Sequence, residues 1–568
     1  AFMELRPYFT TKCRPQEGIE MRRRDVIKGL AVLPAVTAAA NRKKQQSNPF
    51  RHGIASGDPD DSSVVIWTRI TAEGLDQSVL WEVSRDSHFS TLVASGQQLT
   101  THHRDFTVKV LVTDLLPGTH YYFRFKWGDW SSETGRTATL PTGSLDKLGI
   151  AMASCSNFAF GYFNAYEAIA KDDAIDVVLH LGDYIYEYGA AGWGAETALR
   201  IDRVHRPFNE IVSLSDYRER HAQYKADHGS RLMHASKPLL LVWDDHESAN
   251  NPWIGGAQNH HSPEEGLWRD RRNNSIQAYY EWMPVRDPQI GADRKQFWRA
   301  YQFGDLATLV TLESRHTGRS EQLSYDDHID TIKSDEDAFR FQTDILGSPD
   351  RTMLSPDMEQ FLGEALSTSA ESGVAWRLIG NAIPMAKTPA PDIGSIGISM
   401  PKADSGVPGT SADLVWKGKY NLPLYLDTWD GYPWARQRFY DQCRALGVQD
   451  LIVMTGDSHS FWANKLRDND DIAMGVEIGT SGITSPGDFI EQGFDINTAL
   501  RIDQALIAQA PDVVWTSNMY QGYVRVTVSK ENLKVDYVAV STVTESAWDV
   551  KTVKSKQIIR TGNTVTFS

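Results

Sequence analysis

Polar side chains able to bind metal ions follow four apolar segments of this chain at the point where each segment ends. The segments AMASCS, VVLHLGD, LLLVWDDH and IVMTGDSH run directly into thiol, carboxylate and imidazole groups. These donors are Cys155, Asp183, Asp244, Asp245, His246, Asp457 and His459. Because ligands bind beyond the carboxyl ends of strands in layered α/β sheets, we expect these side chains to lie together.

The donor types indicate which ions such a site would hold. Tyr186 follows Asp183 by three residues and adds a phenol. A phenolate favours a hard trivalent ion such as Fe³⁺, whereas carboxylate and amide oxygens suit a hard divalent ion such as Ca²⁺ or Mg²⁺. The sequence therefore predicts two unlike ions side by side, with Asp183 between them. Such a pair stabilises the attacking and leaving oxygens of phosphoryl transfer and generates hydroxide near neutral pH.

The last of these segments leaves a second enzyme class open, because Ser458 lies between Asp457 and His459. A serine nucleophile with a neighbouring imidazole is one way to build a hydrolase. Neighbours in a strand point to opposite faces, which makes a Ser458–His459 pair geometrically poor. The G-x-S-x-G elbow that presents many serine nucleophiles is also missing.

Two kinds of pattern position the donors. After Leu148, apolar segments alternate with helical stretches such as FNAYEAIAKDD and DMEQFLGEALSTSA, which predicts an α/β layered domain over 148–568. Residues 48–141 instead contain short alternating segments such as SSVVIWTRI and HYYFRFKWG, separated by turn residues. About seven such strands predict an all-β sandwich of the fibronectin type III or immunoglobulin kind. We therefore predict a multidomain chain.

The N-terminal text MRRRDVIKGLAVLPAVTAAANRKK has a basic start, a short apolar run and small residues that end at Ala40. These are the features of a secretory signal, and the apolar run is too short to span a membrane. The Arg23-Arg24 pair resembles the bacterial twin-arginine motif. We expect residues 1–40 to be this signal with an upstream extension. The mature protein would leave through the twin-arginine machinery for the periplasm or the exterior, with no membrane span.

Charge restricts the partners of the chain. Its 58 Lys and Arg residues face 73 Asp and Glu residues, which gives a net charge of −15. Such a surface repels nucleic acid and anionic lipid, so we expect no nucleic-acid binding. An anionic substrate needs a locally positive site, made by arginines or bound metal. Only three cysteines occur in 568 residues, which argues against a disulfide framework.

The motifs HLGDYIYEYG, WDDHE and TGDSH follow one another as Gly-Asp-x-x-Tyr, Asp-His-Glu and Gly-x-x-His. This order is similar to the calcineurin-like metallophosphoesterases, especially the purple acid phosphatases. Together with SCSN, YYEWMPVR and WDGYPWARQR, it resembles the alkaline phosphatase D (PhoD-like) family from about Phe50 onwards. The resemblance implies a secreted phosphatase and phosphodiesterase with a metallophosphoesterase domain, Fe³⁺ and Ca²⁺ as cofactors, and an alkaline optimum.

The resemblance also implies which side chains bind the two ions. The implied ligands are Cys155, Asp183, Tyr186, Asp245, Asn381, Asp457 and His459. Cys155, Tyr186 and His459 would bind iron, Asp183 would bridge, and the others would bind the second ion. Purple acid phosphatases have Asp in place of Cys155, and related enzymes often have Asn in place of Asp245. The second exchange adds a negative charge, which favours a divalent ion and leaves its identity open.

Two further residues complete the catalytic machinery that the resemblance implies. His246 would bind phosphate and protonate the leaving group, and Arg286 of WMPVR would clamp the substrate phosphate. Glu247 either orients His246 or simply begins a helix. Hydroxide on a metal would attack the phosphorus of a small-molecule, lipid or polymer phosphate ester. Two alternatives remain: a serine-nucleophile hydrolase that uses Ser458, and a non-catalytic binding protein with a degenerate phosphatase domain.

Overall fold

The computed structural model describes residues 48–401 and 413–568, so the predicted signal over 1–40 lies outside the described residues. The described strands are β1 (Ile54–Gly57), β2 (Val64–Arg69), β3 (Asp76–Ser84), β4 (Leu92–Thr101), β5 (Thr107–Val112), β6 (His120–Trp127), β7 (Trp130–Ser131), β8 (Gly135–Ala138), β9 (Lys147–Ala153), β10 (Val177–Leu181), β11 (Leu239–Val242), β12 (Arg299–Phe303), β13 (Ala307–Thr311), β14 (Trp376–Asn381), β15 (Leu451–Thr455), β16 (Phe461–Arg467), β17 (Ala473–Gly479), β18 (Val513–Ser517), β19 (Gly522–Ser529), β20 (Leu533–Val540), β21 (Val550–Thr561) and β22 (Thr564–Phe567). The described helices are α1 (Asn164–Lys171), α2 (Ala195–Arg200), α3 (Leu214–Lys225), α4 (His228–Ser236), α5 (Ser262–Glu265), α6 (Trp268–Trp282), α7 (Asp335–Arg340), α8 (Pro356–Glu371), α9 (Leu414–Lys419), α10 (Pro433–Ala445), α11 (Asp488–Glu491) and α12 (Ile496–Gln509).

Two large sheets share the main core. One has the strand order β22-β21-β20-β19-β9-β10-β11-β1-β2-β5, and the other has the order β12-β13-β14-β15-β17-β16-β18. The central strands run parallel, β9 with β10 and β11 in the first sheet and β13 with β14 and β15 in the second. Their carboxyl ends are therefore brought to the same edge of each sheet, where the predicted donors begin.

Side-chain alternation along β10 explains this layering. Leu179 and Leu181 point into the core that both sheets share, together with residues such as Leu378 and Val453. Val178 faces the other way, into a core that α1, α3 and α6 cover. A strand buried on both faces reads as a continuous apolar run, and VVLHL is such a run. The helix–sheet–sheet–helix layering agrees with the predicted α/β layered domain. The four segments that end in predicted donors form β9, β10, β11 and β15, and two further apolar segments form β13 and β14.

The N-terminal β region is joined to the large sheet. Strands β3, β4, β6, β7 and β8 form a separate five-stranded sheet, whereas β1, β2 and β5 extend the ten-stranded one. The link is a parallel pairing of Gly57 on β1 with Leu239 on β11. Val64 and Ile66 from one sheet pack with Phe123 and Phe125 from the other around a third core. Residues 48–568 accordingly form one compact unit by their contacts. Among the described helices, none is both long and apolar enough to cross a membrane.

Candidate metal centre

Backbone geometry turns the predicted donors out of the sheets. Each follows a strand by two to four residues, and several have a left-handed backbone that non-glycine residues adopt only occasionally. The φ angles are 57° at Cys155, 53° at Asp183, 64° at Asp457 and 51° at His459. Left-handed residues at three strand ends are a local cost that surrounding structure must sustain, and such costs collect at functional sites. The strained backbone conformations therefore coincide with the donor side chains.

The donors converge into two overlapping groups. Ligand atoms of Cys155, Asp183 and His459 all lie within 4.8 Å of one another. The same holds for Asp183, Asp244, Asp245 and Asp457. Asp183 belongs to both groups, which is the arrangement required of a bridging ligand.

Tyr186 and Asn381 lie at the edges of these groups. The Tyr186 hydroxyl donates to Asp183 Oδ2 at 3.1 Å and lies 3.0 Å from Ser485 Oγ, and the side chain is fully buried. Asn381 ends β14, beside Thr455 at the end of β15. Its amide nitrogen donates to the Ile383 carbonyl at 2.6 Å, which aims the oxygen away from that bond. The buried Oδ1 has no hydrogen-bond partner among the described residues.

Burial makes this concentration of acidic groups expensive. It raises the pKa of Asp183 well above its usual range, and the nearby Asp245 carboxylate adds to the rise. Burial and Asp183 likewise raise the pKa values of the Cys155 thiol and the Tyr186 phenol. Asp244 Oδ2 and Asp245 Oδ1 are buried without hydrogen-bond partners in the described chain. Unpaired buried oxygens beside a thiol and a phenol fit a site for cations, because bound positive charge would relieve every one of these costs.

His246 is held by a carboxylate that the sequence analysis quoted without giving it a role. Its Nδ1 lies 2.6 Å from Glu187 Oε2, and its ring stacks on Tyr186 with centroids 4.2 Å apart. Although burial opposes it, the Asp245 and Glu187 carboxylates raise the pKa of His246 well above its usual value. Glu247, considered as the partner of His246, instead accepts the backbone N–H groups of Asp183, Tyr184 and Asp244. It fixes two strand ends and does not orient the imidazole.

Arg315 is the cation that the sequence analysis missed. It is fully buried beyond β13, and its Nε lies 2.5 Å from Asp244 Oδ1. Its Nη2 lies 3.7 Å from Asp245 and 3.5 Å from Asp457. The apolar segment LATLVTLESR contains β13, and the charged residues at its end were an available signal. A fifth strand end therefore contributes the only arginine that pairs with these carboxylates in the described residues.

The structure corrects the prediction for Arg286. Its guanidinium donates to the Asp58 carbonyl and to Ser63 Oγ, each at 3.0 Å, and pairs with Asp60 at 2.9 Å. It is not among the described residues that line the cavity above the donors. Acidic residues after β1 capture this side chain, because β1 lies beside β11 in the same sheet. Arg286 connects the N-terminal β region to the rest of the chain and is not placed to clamp a substrate.

A cavity of about 640 Å³ opens above the donors. Its described wall includes Tyr188, Trp193, Tyr425, Asp427 and Glu491 besides the donors themselves, and no Lys or Arg of the described chain lines it. Ser458 Oγ accepts a hydrogen bond from Trp462 Nε1 at 2.9 Å, and no described hydrogen bond joins it to an imidazole. The geometry therefore offers carboxylates for cations and offers no serine nucleophile with a base.

Comparisons with known proteins agree with this geometry. A model of the PhoD-like phosphatase family matches residues 150–537, and a model of the PhoD-like phosphatase N-terminal domain matches residues 36–141. Alkaline phosphatase D of Bacillus subtilis (strain 168) is 33% identical over 527 residues, which cover 89% of this chain and 80% of that protein. A solved structure of PhoD aligns with a TM-score of 0.73 and 31% identity over 92% of both chains. Purple acid phosphatase PPD1 from yellow lupin (Lupinus luteus) seeds aligns with a TM-score of 0.52 and 10% identity, over 89% of this chain and 74% of that one, a likeness of fold alone.

Proposed function

Because this chain belongs to the PhoD-like phosphatase family and is a metal-dependent hydrolase of phosphoric esters, we propose that its strand-end donors hold Fe³⁺ and Ca²⁺ side by side. Cys155, Tyr186 and His459 would hold the ferric ion, and Asp183 would be shared by both ions. Asp245, Asn381 and Asp457 would hold the second ion. The observation that carries this assignment is the position of Asp183, whose carboxylate belongs to both groups of converging ligand atoms.

The residues of the chain then have separate tasks in hydrolysis. When bound, the two ions supply Lewis-acid activation of water and positive charge that attracts a phosphate into an otherwise acidic cavity. Arg315 forms ion pairs with Asp244, Asp245 and Asp457, which keep those carboxylates in place. Glu187 holds Nδ1 of His246, so Nε2 is the atom that gives a proton to the departing alkoxide. A P–O bond to water forms opposite this leaving group as the P–O bond to the alkoxide breaks, and the proton that this water releases restores the protonated imidazole of His246.

We propose small-molecule or polymer phosphate esters, both diesters and monoesters, as substrates, with an alkaline optimum. The similarity to alkaline phosphatase D supports the substrate class and the optimum. Export through the twin-arginine machinery rests on residues 1–40, and a fibronectin-like sandwich over 48–141 preceding a catalytic domain over 148–568 rests on the strand pattern and on the separate five-stranded sheet. The identity of the second ion rests on similarity and on the oxygen-rich donors.

The test of the metal assignment is spectroscopic. A phenolate bound to Fe³⁺ absorbs visible light by charge transfer, so purified protein should be coloured and contain iron, with Ca²⁺ measured on the same preparation. Tyr186→Phe should remove most of this band. Tyr188→Phe is the matched control, because Tyr188 lines the same cavity yet makes its described hydrogen bond to Asn250 at 3.5 Å. Colourless, iron-free protein that hydrolyses phosphate esters at full rate would refute the ferric assignment.

A serine nucleophile is the competing mechanism, and one variant separates it from the metal mechanism. Ser458→Ala should keep phosphatase turnover, since Ser458 Oγ accepts only the Trp462 indole N–H among the described contacts. Turnover of a nitrophenyl phosphate ester also excludes the degenerate, non-catalytic alternative. Loss of turnover in Ser458→Ala with unchanged metal content would favour the serine mechanism.

A further inference from the structure

His459 has a second neighbour on the side away from the strand ends. Its Nδ1 lies 3.5 Å from Asp488 Oδ1, at the outer limit of a hydrogen bond. His459 follows β15, whereas Asp488 is the first residue of α11, so two distant segments of the chain meet at this imidazole. The Nδ1 atom is buried and has no hydrogen-bond partner in the described residues at the standard geometry. Asp488 is the carboxylate available to it.

The plane of the same imidazole is fixed by Trp193. The two rings stack with centroids 5.4 Å apart and an angle of 17° between their planes. Trp193 stands between Gly192 and Gly194 in the loop before α2, and it also lies 6.5 Å from His246 at an angle of 23°. A stacked ring restricts tilting of the imidazole but permits rotation within its plane. A second contact at the ring edge is needed to select which nitrogen faces the Cys155–Asp183 side.

Asp488 is itself held in place to make that contact. The Tyr425 hydroxyl donates a short hydrogen bond to Asp488 Oδ2, which leaves Oδ1 to face His459. The Asp488 side chain is 19% exposed, so it lies at the cavity wall rather than in bulk water. Tyr425, Asp488 and His459 therefore form a chain of polar contacts that runs from the cavity wall to the donor groups.

We infer that Asp488 is a positioning residue for His459. By accepting the Nδ1–H proton, it fixes the neutral tautomer in which Nε2 carries the lone pair and is the nitrogen left for the metal. A metal-binding histidine commonly donates its other N–H to such a carboxylate, which sets the ring orientation and raises the basicity of the ligand. The inference rests on the proposed metal at His459 and adds the residues that hold this ligand, with Tyr425 orienting Asp488.

The experiment compares metal retention in four full-length proteins: wild type, Asp488→Ala, Asp488→Asn and Asp330→Asn. Iron loss is followed at a fixed chelator concentration, together with the visible charge-transfer band and the near-UV spectrum of the folded protein. We expect Asp488→Ala to lose iron about 10- to 100-fold more readily and to show a shifted band. Asp488→Asn keeps an oxygen acceptor and should recover part of the loss.

Asp330→Asn is the matched control for charge, because the Asp330 side chain is 99% exposed and lies neither in the cavity wall nor in a group of potential ligands. It should retain iron within about twofold of wild type. If Asp488 acted only by stabilising α11, its variants would lower the melting temperature and leave the band and the iron loss at the control value. That outcome overturns the inference.

The proposed ferric site and the positioning role of Asp488 are refuted by different observations. Wild-type protein without iron or colour overturns the proposed ferric site, and with it the role of Asp488. Wild-type protein with iron, combined with Asp488→Ala that holds iron as firmly as Asp330→Asn, overturns the positioning role alone. If Asp488→Ala does not fold, Tyr425→Phe tests the same chain of contacts, since it removes the donor that orients Asp488. A band and an iron loss identical to wild type in Tyr425→Phe and Asp488→Asn would then count against the inference.

Discussion

Two regions of opposite chemistry meet at consecutive residues of this protein. Asp183 points into the metal centre, where buried carboxylates crowd together. Tyr184 points the other way, into a basic cluster that we define as His180, His221, Lys225 and His234. Tyr184 lies 3.0 Å from His234 Nε2, and Lys225 Nζ lies 2.9 Å from the same atom. All four members of the basic cluster are buried.

The two regions offset the energetic cost of burying ionisable groups in different ways. Burial lowers the pKa values of His180 and His221 to about 3, so these imidazoles are neutral near pH 7, and it lowers the pKa of Lys225 well below its usual range. His221 stacks on Tyr184 and Trp282, with angles of 20° and 12°. A neutral imidazole among aromatic rings needs no counter-ion. The carboxylates of the metal centre lack that option while they serve as ligands, so they depend on Arg315 and on bound cations.

The comparison separates polar groups that serve the fold from those that serve a ligand. Among the described residues, unpartnered buried polar atoms occur in both regions, at Asp244 and Asp245 in the metal centre and at His180 and His221 in the basic cluster. The metal centre differs in having left-handed backbone at four of its donors. The basic cluster lies among helices α1, α3, α4 and α6 and opens onto none of the described walls of the catalytic cavity. Changes in the first region should therefore trade stability against activity, whereas changes in the second should move stability alone.

The largest effect is expected from Asp183→Asn. Replacing the shared carboxylate weakens both metal positions at once, so turnover should fall by on the order of 10³-fold or more, at least the loss that follows removal of one transition-state donor. In chelator the same variant should be more stable than wild type, because a carboxyl whose pKa is raised in the fold costs stability as pH rises above its ordinary pKa in the unfolded chain. Turnover assays and urea unfolding in chelator measure the two effects. Reduced stability in chelator would contradict the proposed repulsion.

Arg315→Gln gives the next largest effect, this time on folding. Removing the cation leaves Asp244, Asp245 and Asp457 buried without compensation, and breaking a buried pair of this kind costs about 3–5 kcal/mol. Urea unfolding in chelator should show this loss, and bound metal should recover part of it.

Arg286→Gln is the matched comparison for Arg315→Gln. Its guanidinium is 25% exposed and pairs with Asp60, which is 48% exposed, so its loss should cost about 1 kcal/mol or less. Its turnover should stay near that of wild type, because Arg286 lies off the cavity wall. A large rise in KM for Arg286→Gln would restore the phosphate-clamp role that the sequence suggested.

The sequence predicted the metal centre better than its surroundings for a physical reason. Donors such as Cys155, Asp183 and His459 come directly after apolar strands, and parallel strands deliver their ends to one edge without further information. The role of Arg315 could not be predicted in this way, because only the pairing of β13 with β14 brings its strand end to that edge. Arg286 was misassigned because the motif around it says nothing about Asp58 and Asp60, which lie more than two hundred residues earlier.

The pairing of the N-terminal β region with the ten-stranded sheet could not be predicted from the sequence either. It depends on Gly57 pairing with Leu239, and no local periodicity encodes a contact of that separation. The basic cluster escaped for a similar reason. His180 lies in an apolar strand and Lys225 in a polar helix, so their meeting depends on how α3 packs beneath β10. Strand and helix patterns predict elements and faces, and long-range packing decides which side chains become neighbours.

The last expected effect is confined to acid pH and concerns the pH dependence that the basic cluster gives to stability. His221 has a pKa of about 3 in the fold and about 6.5 when unfolded, so the unfolded chain binds one more proton between these values. Stability due to His221 is therefore fully present above pH 6.5 and is lost as pH falls below it, by about 1.4 kcal/mol per pH unit. His221→Phe keeps a ring between Tyr184 and Trp282 and should reduce the slope of unfolding free energy between pH 6.5 and 4.5 by that amount. His88→Phe, at an exposed histidine, should leave the slope unchanged, and turnover at pH 8 should stay the same in both variants. Equal slopes in wild type and His221→Phe would mean that the imidazole is not held neutral, and the contrast between the two regions would then fail on its basic side.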